Sequence, residues 1–296
     1  MEDRETARSE LAPFSKFAPP GGVQQLTPEV IHAFQATIYA YYENHGRHLL
    51  PWRETDDPYR ILVSEIMLQQ TQVPRVLQKY EDFMRTFPDF DSLAQASVQE
   101  ILRVWQGLGY NRRALALWKT AELVVSQYHA VLPAEPAELQ KLPGIGPYTA
   151  AAIAAFAFNR PVAFIETNIR TVFIHTFFHD QSAVRDREIL HLVEQTLDTS
   201  NPRRWYYALM DYGAMLKQRY QNPNRRSAQY QKQTPFKGSN RELRGKILRA
   251  LTQYVSLSER DLIRWLGMEP ERVRQVLREL QEEGFVHEHG STYQLC

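Results

Sequence analysis

The stretch LQKLPGIGPYTAAAIAAFAF, residues 139–158, decides the fold of this chain. Its first residues end one helix, Pro-Gly-Ile-Gly predicts a tight turn, and the small residues from about Tyr148 onward predict a second helix. Glycine at positions 144 and 146 lets the backbone turn sharply and approach a partner closely. The free amides at the start of the second helix can hold an anion, although an ordinary connection between two helices is the alternative interpretation.

The residues around this stretch predict a mainly α fold. Apolar residues recur at the spacing of an amphipathic helix in the first segment, at Ile31, Phe34, Ile38 and Tyr41. Helical spacing continues to about residue 230, with almost no strand alternation. We predict a flexible leader (1–26), a helical domain (27–230) and a C-terminal part made of a basic linker and a small module (231–296). The helical domain divides into a six-helix lobe at about 55–160 and a second lobe from 27–54 and 161–230.

The segment from residue 217 to residue 246 is strongly basic, with nine Lys or Arg residues and one acidic residue, Glu242. It is either a solvated linker or a strap that faces phosphates, because clustered cations displace counterions from a nucleic acid. From Asn240 onward the pattern predicts three helices and a hairpin around Gly290, an organisation that resembles a winged-helix module. Its third helix carries three arginines and four glutamates. Recognition of a DNA groove and contact with a protein are therefore both open.

Composition excludes several classes of protein. The 296 residues include 35 Lys or Arg and 34 Asp or Glu. A uniformly basic surface is therefore excluded, but a local basic surface is not. Cys296 is the single cysteine, which excludes a disulfide within the chain, a cysteine-ligated zinc site and an iron–sulfur cluster. No apolar run approaches the roughly 18 residues of a membrane span. We expect a cytoplasmic protein that binds no membrane, metal or cofactor.

Two acidic residues are candidates for catalysis. Glu65 lies in SEIMLQQT (64–71), in a predicted helix with apolar neighbours. Burial there would raise its pKa and suit it to general acid catalysis near neutral pH, whereas the alternative puts it on the solvent-facing side of the helix. Glu166, in PVAFIETNIRTVF (161–173), is predicted just before a helix N-terminus, where an anion is stabilised. A neutral acid and an ionised partner form a matched pair, with simple helix capping as the alternative for Glu166.

Taken in order, these segments resemble the helix-hairpin-helix DNA glycosylase superfamily, and within it the adenine DNA glycosylases, which excise adenine mispaired with oxidised guanine. The resemblance covers roughly residues 30–220, and several independent motifs carry it. The matching runs are LPWR (50–53), PYRILVSEIMLQQTQV (58–73), WQGLGYNRRA (105–114), LPGIGPYTAAAI (142–153) and ALMDYGAM (208–215). It implies a two-lobed helical fold.

The resemblance also implies catalytic roles. Glu65 takes the position of the acid that protonates the departing purine at N7. Glu166 falls where the family has an aspartate that stabilises the oxocarbenium-like sugar. Tyr148 stands where lyase-competent relatives carry a lysine nucleophile, so we expect a monofunctional glycosylase that leaves an abasic site.

A second set of matching residues is expected to contact DNA. Gln70 matches the glutamine that wedges into the base stack, and Tyr110 lies in the loop that probes the opposite base. Gly144 and Gly146 match the phosphate grip of the hairpin. The remaining expected DNA contacts are Gln69, Arg53 and Asn168. The expected partner is double-stranded DNA with a mispaired or damaged base, bound by a monomer that is associated with the nucleoid.

The chain departs from the family pattern in three places. After ALMDYGAM it continues LKQRYQNPNRRSAQYQKQ (216–233) without the four cysteines of the family's cluster loop, so we expect the basic strap to take over that loop's DNA contact. Glu166 replaces the aspartate, and a displacement of roughly 1 Å can cost about a hundredfold in rate. The C-terminal tail, from residue 240 to residue 296, is too short and too helical to be the Nudix-like domain with which the family reads oxidised guanine.

Two alternative functions stay open. A thymine or uracil mismatch glycosylase is one, because Tyr148 also suits pyrimidine-specific relatives. A catalytically impaired protein that binds damaged DNA is the other, with Glu166 in place of aspartate having abolished the chemistry.

Overall fold

The computed structural model describes residues 25–178, 181–232 and 235–296, and within these ranges the chain is mainly helical, as the periodicity predicts. The helices are α1 (Pro28–His45), α2 (Pro58–Leu68), α3 (Val73–Thr86), α4 (Phe90–Ala94), α5 (Val98–Trp105), α6 (Arg112–Tyr128), α7 (Pro136–Leu139), α8 (Pro147–Phe158), α9 (Thr167–Phe177), α10 (Asp186–Thr196), α11 (Pro202–Arg219), α12 (Asn240–Gln253), α13 (Glu259–Leu266) and α14 (Pro270–Glu282). A 3₁₀ helix spans Pro223–Arg226, and the strands are β1 (Leu257–Ser258), β2 (Val286–His289) and β3 (Thr292–Leu295). Nowhere in the described ranges does a helix combine the length and the apolar character of a membrane span. The predicted leader lies outside the described residues except for its last two.

The chain divides into two compact units. Unit 1 takes the residues up to Asp56 together with Gly146–Lys232, and unit 2 takes Asp57–Ile145 together with the residues after Lys232. The sequence predicts a six-helix lobe that ends at about residue 160 and therefore includes α8. In the structure α8 belongs to unit 1, because it packs against α11. The predicted C-terminal part belongs to unit 2 because α12 packs against α5.

Unit 1 is built around the crossing of α9 and α11, with α1 packed on α11. Its centre is an aromatic cluster in which the ring of Phe34 lies 5.5 Å from that of Phe173 and 5.9 Å from that of Trp205. Gly213 allows the two helices to approach, because a Cβ atom there would lie 2.2 Å from the carbonyl oxygen of Asn168. This close crossing brings the N-terminal end of α9 against α11.

Part of the basic segment is folded against α9 rather than forming a solvated linker. Asn224 donates hydrogen bonds to the carbonyl oxygen of Thr167 at 2.9 Å and to the hydroxyl of Thr171 at 2.6 Å. Arg226 donates to the carbonyl oxygen of Ile174 at 3.1 Å, near the C-terminal end of α9. Arg225 is exposed. The segment at 223–226 therefore stabilises the helix that Glu166 precedes.

In unit 2 the tail contains the three helices and the hairpin that the sequence predicts. Its sheet has the strand order β1-β3-β2, and both strand pairs are antiparallel. Phe285 is fully buried beside Val98, Ile101, Leu102 and Leu115. The tail is thus packed onto α5 and α6 through an apolar anchor. Its assignment to the winged-helix class stays a prediction.

Candidate functional site

The turn before α8 has the geometry that its glycines predict. Gly144 has a φ of +75°, and a Cβ atom there would lie 2.7 Å from the Cβ of Ala116. Glycine is therefore required at 144 for both conformation and space. Gly146, the N-cap of α8, has a φ of −80°, and apart from its chain neighbours no heavy atom of the described residues lies within 4 Å of the position of a Cβ. The main chain at Gly146 consequently faces open space, which suits the close approach of an anion to the start of the helix.

Glu65 is buried on α2, with 9% of its surface exposed. The helix begins with the N-cap Asp57 and Pro58, and its neighbours Ile61, Leu62 and Ile66 are also buried. The burial that the apolar neighbours predict for Glu65 is thus confirmed, and the solvent-facing alternative is wrong. The role of Glu65 as a general acid stays a prediction.

The chain after α2 forms an exposed turn in an uncommon conformation. Gln69 caps the helix, and Gln70 is exposed with a φ of +54°, in the left-handed region. The loop between α5 and α6 behaves similarly, because Tyr110 has a φ of +48°. We call residues 69–71 and 107–110 the paired turns. Both belong to unit 2.

Arg113, on α6, ties the paired turns together. Its guanidinium donates to the carbonyl oxygens of Gln69 and, at 3.1 Å, of Gly109, and to the hydroxyl of Thr71 at 3.0 Å. It also lies 5.5 Å from the centre of the Tyr110 ring. Burial lowers the pKa of Arg113 to about 10, so the group keeps its charge at neutral pH. The two turns therefore share one cationic support.

Glu166 is the N-cap of α9, as predicted. Its Oε1 accepts hydrogen bonds from the backbone N–H groups of Asn168 and, at 3.0 Å, of Ile169. Burial raises the pKa of Glu166 above its ordinary value, although Lys217 and the two amides act in the opposite direction. This result differs from the expectation of a simple stabilised anion, because desolvation outweighs the helix N-terminus. The Oδ1 of Asn168 is buried and has no hydrogen-bond partner among the described residues.

Lys217 is the cation that acts on Glu166. It lies on α11 one helical turn after Gly213, which packs against Asn168. Burial lowers the pKa of Lys217, and the charge of Glu166 opposes that change. The catalytic candidate in unit 1 is therefore a carboxyl group whose protonation depends on a partly buried lysine.

Arg53 is buried, so the expectation that it contacts DNA is wrong. Its side chain is only 4% exposed, and it donates to both carboxylate oxygens of Asp211, at 2.7 Å and 3.0 Å. Its guanidinium also stacks 4.5 Å from the centre of the Tyr207 ring. A guanidinium held in this way has no surface to offer to a phosphate, so Arg53 holds the fold of unit 1 rather than binding DNA.

The remaining predicted site residues fall into both units. Unit 2 contains Glu65, Gln69, Gln70, Tyr110 and Gly144, and unit 1 contains Gly146, Tyr148, Glu166 and Asn168. Tyr148 is 37% exposed on the first turn of α8, and its ring lies edge-on to Phe164 at 5.7 Å. Local sequence patterns assigned no individual role to Arg113, Asp211 or Lys217. A carboxylate within the apolar run ALMDYGAM was a signal for Asp211, because a buried acid needs a cationic partner.

The residues after α11 do not fit an iron–sulfur cluster. Residues 216–233 contain no cysteine, and the chain's one cysteine, Cys296, is exposed at the other end of the tail. Asn224 and Arg226 instead hold this segment by hydrogen bonds to α9.

The chain is similar to known base excision repair proteins in sequence and in fold. The family described as HhH-GPD superfamily base excision DNA repair protein matches residues 63–195. A solved structure of a thermostable thymine-DNA glycosylase superimposes with a TM-score of 0.55 and 27% identity, over 62% of this chain and 86% of that one.

Two adenine DNA glycosylases are among the similar proteins. The enzyme of Mycolicibacterium smegmatis is 34% identical over 272 residues, which cover 85% of this chain and 92% of that protein. The enzyme of Buchnera aphidicola subsp. Baizongia pistaciae is 37% identical over 187 residues, and this chain spans about half of its length, 52%. The chain therefore belongs to the helix-hairpin-helix superfamily of base excision DNA repair proteins, among the relatives of the adenine DNA glycosylases.

Proposed function

We propose that this protein is a monofunctional DNA glycosylase that removes adenine mispaired with 8-oxoguanine or guanine. The observation that carries the proposal is the buried carboxyl group of Glu65, on a helix that is followed by the exposed Gln70 in a left-handed conformation. The similarity to adenine DNA glycosylases supports adenine as the base. A base inside a duplex is inaccessible, so the nucleotide is flipped out at a cost of a few kcal/mol.

The reaction is the hydrolysis of the bond between adenine N9 and the sugar C1′. Glu65 donates a proton to N7, so that adenine leaves as a neutral base. Glu166, in its ionised form, stabilises the positive charge that grows on the sugar. Water adds its hydroxide to C1′, and its proton balances the one that adenine took.

The strand is expected to stay intact after the base has left. Lyase chemistry needs an amine that forms a Schiff base with the sugar, and the first turn of α8 carries the phenol of Tyr148 at the matching position. A phenol cannot form a Schiff base. The product is therefore an abasic site that breaks only on treatment with alkali.

A panel of duplexes tests the proposal. Adenine opposite 8-oxoguanine, adenine opposite guanine, and thymine or uracil opposite guanine are each incubated with the protein and analysed with and without alkali. We expect cleavage at adenine, and only after alkali. Cleavage at pyrimidines alone, or binding without cleavage on every duplex, would refute the proposal, and cleavage without alkali would refute its monofunctional part.

Gly144 and Gly146, the two glycines of the turn before α8, make a matched pair of variants. Gly144→Ala is expected to destabilise the protein by about 1–3 kcal/mol, because the new Cβ meets Ala116 and the left-handed backbone is strained. Gly146→Ala is expected to leave stability nearly unchanged, because its Cβ points into open space, but to weaken binding to duplex DNA. Thermal melts and duplex titrations measure the two effects. Full DNA affinity in Gly146→Ala would contradict the proposed phosphate grip. Equal loss of stability in both variants would contradict the special requirement for glycine at position 144.

The pH dependence of excision tests the role of Lys217. Glu166 must be ionised to stabilise the sugar, so the rate rises as the pH rises through the raised pKa of Glu166. Lys217→Met removes a cation that lowers this pKa, and the acidic limb of the single-turnover rate profile is therefore expected to move to higher pH. Lys217→Arg keeps the charge and serves as the control. An unmoved acidic limb in Lys217→Met would show that the lysine does not act on the catalytic carboxylate.

A further inference from the structure

A residue of the C-terminal tail contacts one of the paired turns directly. Arg241, on α12, donates a hydrogen bond from Nη1 to the hydroxyl of Tyr110 at 2.6 Å. Its guanidinium also lies 5.7 Å from the centre of the Tyr110 ring, while that of Arg113 lies at 5.5 Å. The phenol of Tyr110 is therefore in contact with two cations, one from α6 and one from the tail.

The position of Arg241 is determined by the way the tail is anchored. Arg244, one turn along α12, pairs with Glu283 at 2.5 Å, and the same carboxylate pairs with Arg112 on α6. Phe285 adds the apolar contact with α5 and α6. These contacts join α12 to the residues immediately after the Tyr110 loop. The guanidinium of Arg241 thus reaches Tyr110 from a support that is itself fixed to α6.

The third helix of the tail, α14, gives little support to a separate role in reading a DNA groove. Arg272 donates to Asn240 at 3.1 Å, Arg274 to Glu259 at 2.8 Å, and Arg278 to Glu271 at 3.4 Å. Each of its three arginines therefore already has a partner within the tail. Arg241, on the first helix of the tail, does contact a candidate DNA-contacting residue, Tyr110.

We propose that the C-terminal tail is a positioning element for the paired turns and that Arg241 is the positioning residue through which it acts on Tyr110. A charged donor on the phenol hydroxyl selects one orientation of the ring, and Arg113 transmits that order to residues 69–71. The tail then shapes the surface that meets the duplex without itself contacting a base. The effect on DNA rests on the proposed function, whereas the effect on the turns does not.

Hydrogen exchange in the free protein tests the positioning directly. Arg241→Met is expected to increase amide exchange at residues 107–111. Arg249→Met is the matched control, because Arg249 lies on the same helix and is exposed. Tyr110→Phe, which keeps the ring and removes the hydroxyl, should give a similar increase, and the double variant should give no more than either single one. Unchanged exchange in Arg241→Met, or additive increases in the double variant, would overturn the proposal even if the protein is an active glycosylase.

Single-turnover kinetics on the duplex with adenine opposite 8-oxoguanine gives the second readout. Loss of one charge-assisted hydrogen bond is expected to raise the half-saturating protein concentration by about tenfold and to change the rate at saturation much less. Arg241→Lys keeps a donor and should recover part of the loss. If Arg241→Met lowered only the rate at saturating protein and left the half-saturating concentration unchanged, Arg241 would not position a DNA contact. If the unsubstituted protein excises no base, the proposed function fails, and the exchange measurement still decides the role of Arg241.

Discussion

Glu65→Gln is expected to lower the single-turnover rate of adenine excision by about 10²–10⁴-fold, the range that a general acid contributes. The amide has nearly the same shape as the carboxyl group but has no acidic proton to give to N7. Because Glu65 is 9% exposed on a helix that is buried on most sides, a glutamine of equal size is expected to preserve the packing. Affinity for the mispaired duplex should therefore stay close to that of the unsubstituted protein.

A matched variant separates this effect from a general loss of charge in the same unit. Glu81 lies on α3 and is exposed, so Glu81→Gln removes the same charge without touching the buried carboxyl group. Its rate is expected to remain within about twofold of that of the unsubstituted protein, as surface substitutions usually have small effects. If Glu65→Gln excised adenine as fast as Glu81→Gln, the catalytic acid would have to be sought elsewhere.

The largest expected effect on stability belongs to Asp211→Asn. The carboxylate of Asp211 accepts hydrogen bonds from the backbone N–H and the Nε of Arg47, both at 2.7 Å, and from both terminal nitrogens of Arg53. Arg53 and Asp211 are 4% and 2% exposed at their side chains. Removing one partner leaves a buried charge without compensation, so we expect a loss of about 3–5 kcal/mol in the free energy of unfolding.

The pairing of Asp211 with Arg53 also predicts how the free energy of unfolding depends on pH. Burial alone would raise the pKa of Asp211, but Arg53 and Arg47 hold it below its ordinary value. A carboxylate with a lowered pKa stabilises the folded state at pH values above its ordinary pKa and loses that contribution as the pH falls toward the folded value. Denaturant unfolding at neutral and acidic pH should therefore show that the difference between Asp211→Asn and the unsubstituted protein shrinks as the pH falls.

An exposed ion pair supplies the control for Asp211→Asn. Asp82 pairs with Arg85 at 3.3 Å, and both side chains are at least half exposed, at 51% and 74%. Asp82→Asn is expected to cost no more than about 1 kcal/mol, because exposed pairs are screened by water and salt. Equal destabilisation by the two substitutions would show that the buried pair does not hold the fold of unit 1.

Local sequence was sufficient to predict the turn before α8, the burial of Glu65 and the capping position of Glu166. The turn at 143–146 depends on the conformational freedom of glycine, which is a property of single residues, and Gly144 has the left-handed backbone that only glycine adopts easily. The capping position of Glu166 follows from the apolar run before it and the helical spacing after it. The burial of Glu65 was predicted from its apolar neighbours, although helical spacing alone favoured the solvent-facing side.

Features that depend on distant partners were beyond the same reasoning. Arg53 looked like a DNA contact because its partner, Asp211, lies 158 positions away in the sequence. The alanine-rich α8 is buried on nearly every side, so its pattern has no distinct apolar face to indicate which unit it joins. The contact of Arg241 with Tyr110 spans 131 positions and depends on how the tail packs. In each case tertiary packing, not local preference, decides where the side chain goes.

Identification of the released base tests the central claim most directly. A duplex with adenine opposite 8-oxoguanine is incubated with an excess of the protein, and the free bases are separated and quantified by chromatography beside a count of abasic sites. We predict one molecule of free adenine for each abasic site, and, over the same reaction time, at least about a hundredfold less of both with a Glu65→Gln variant that still binds the duplex. Release of no base, or release of thymine or uracil but not of adenine from the corresponding mispairs, would contradict the account.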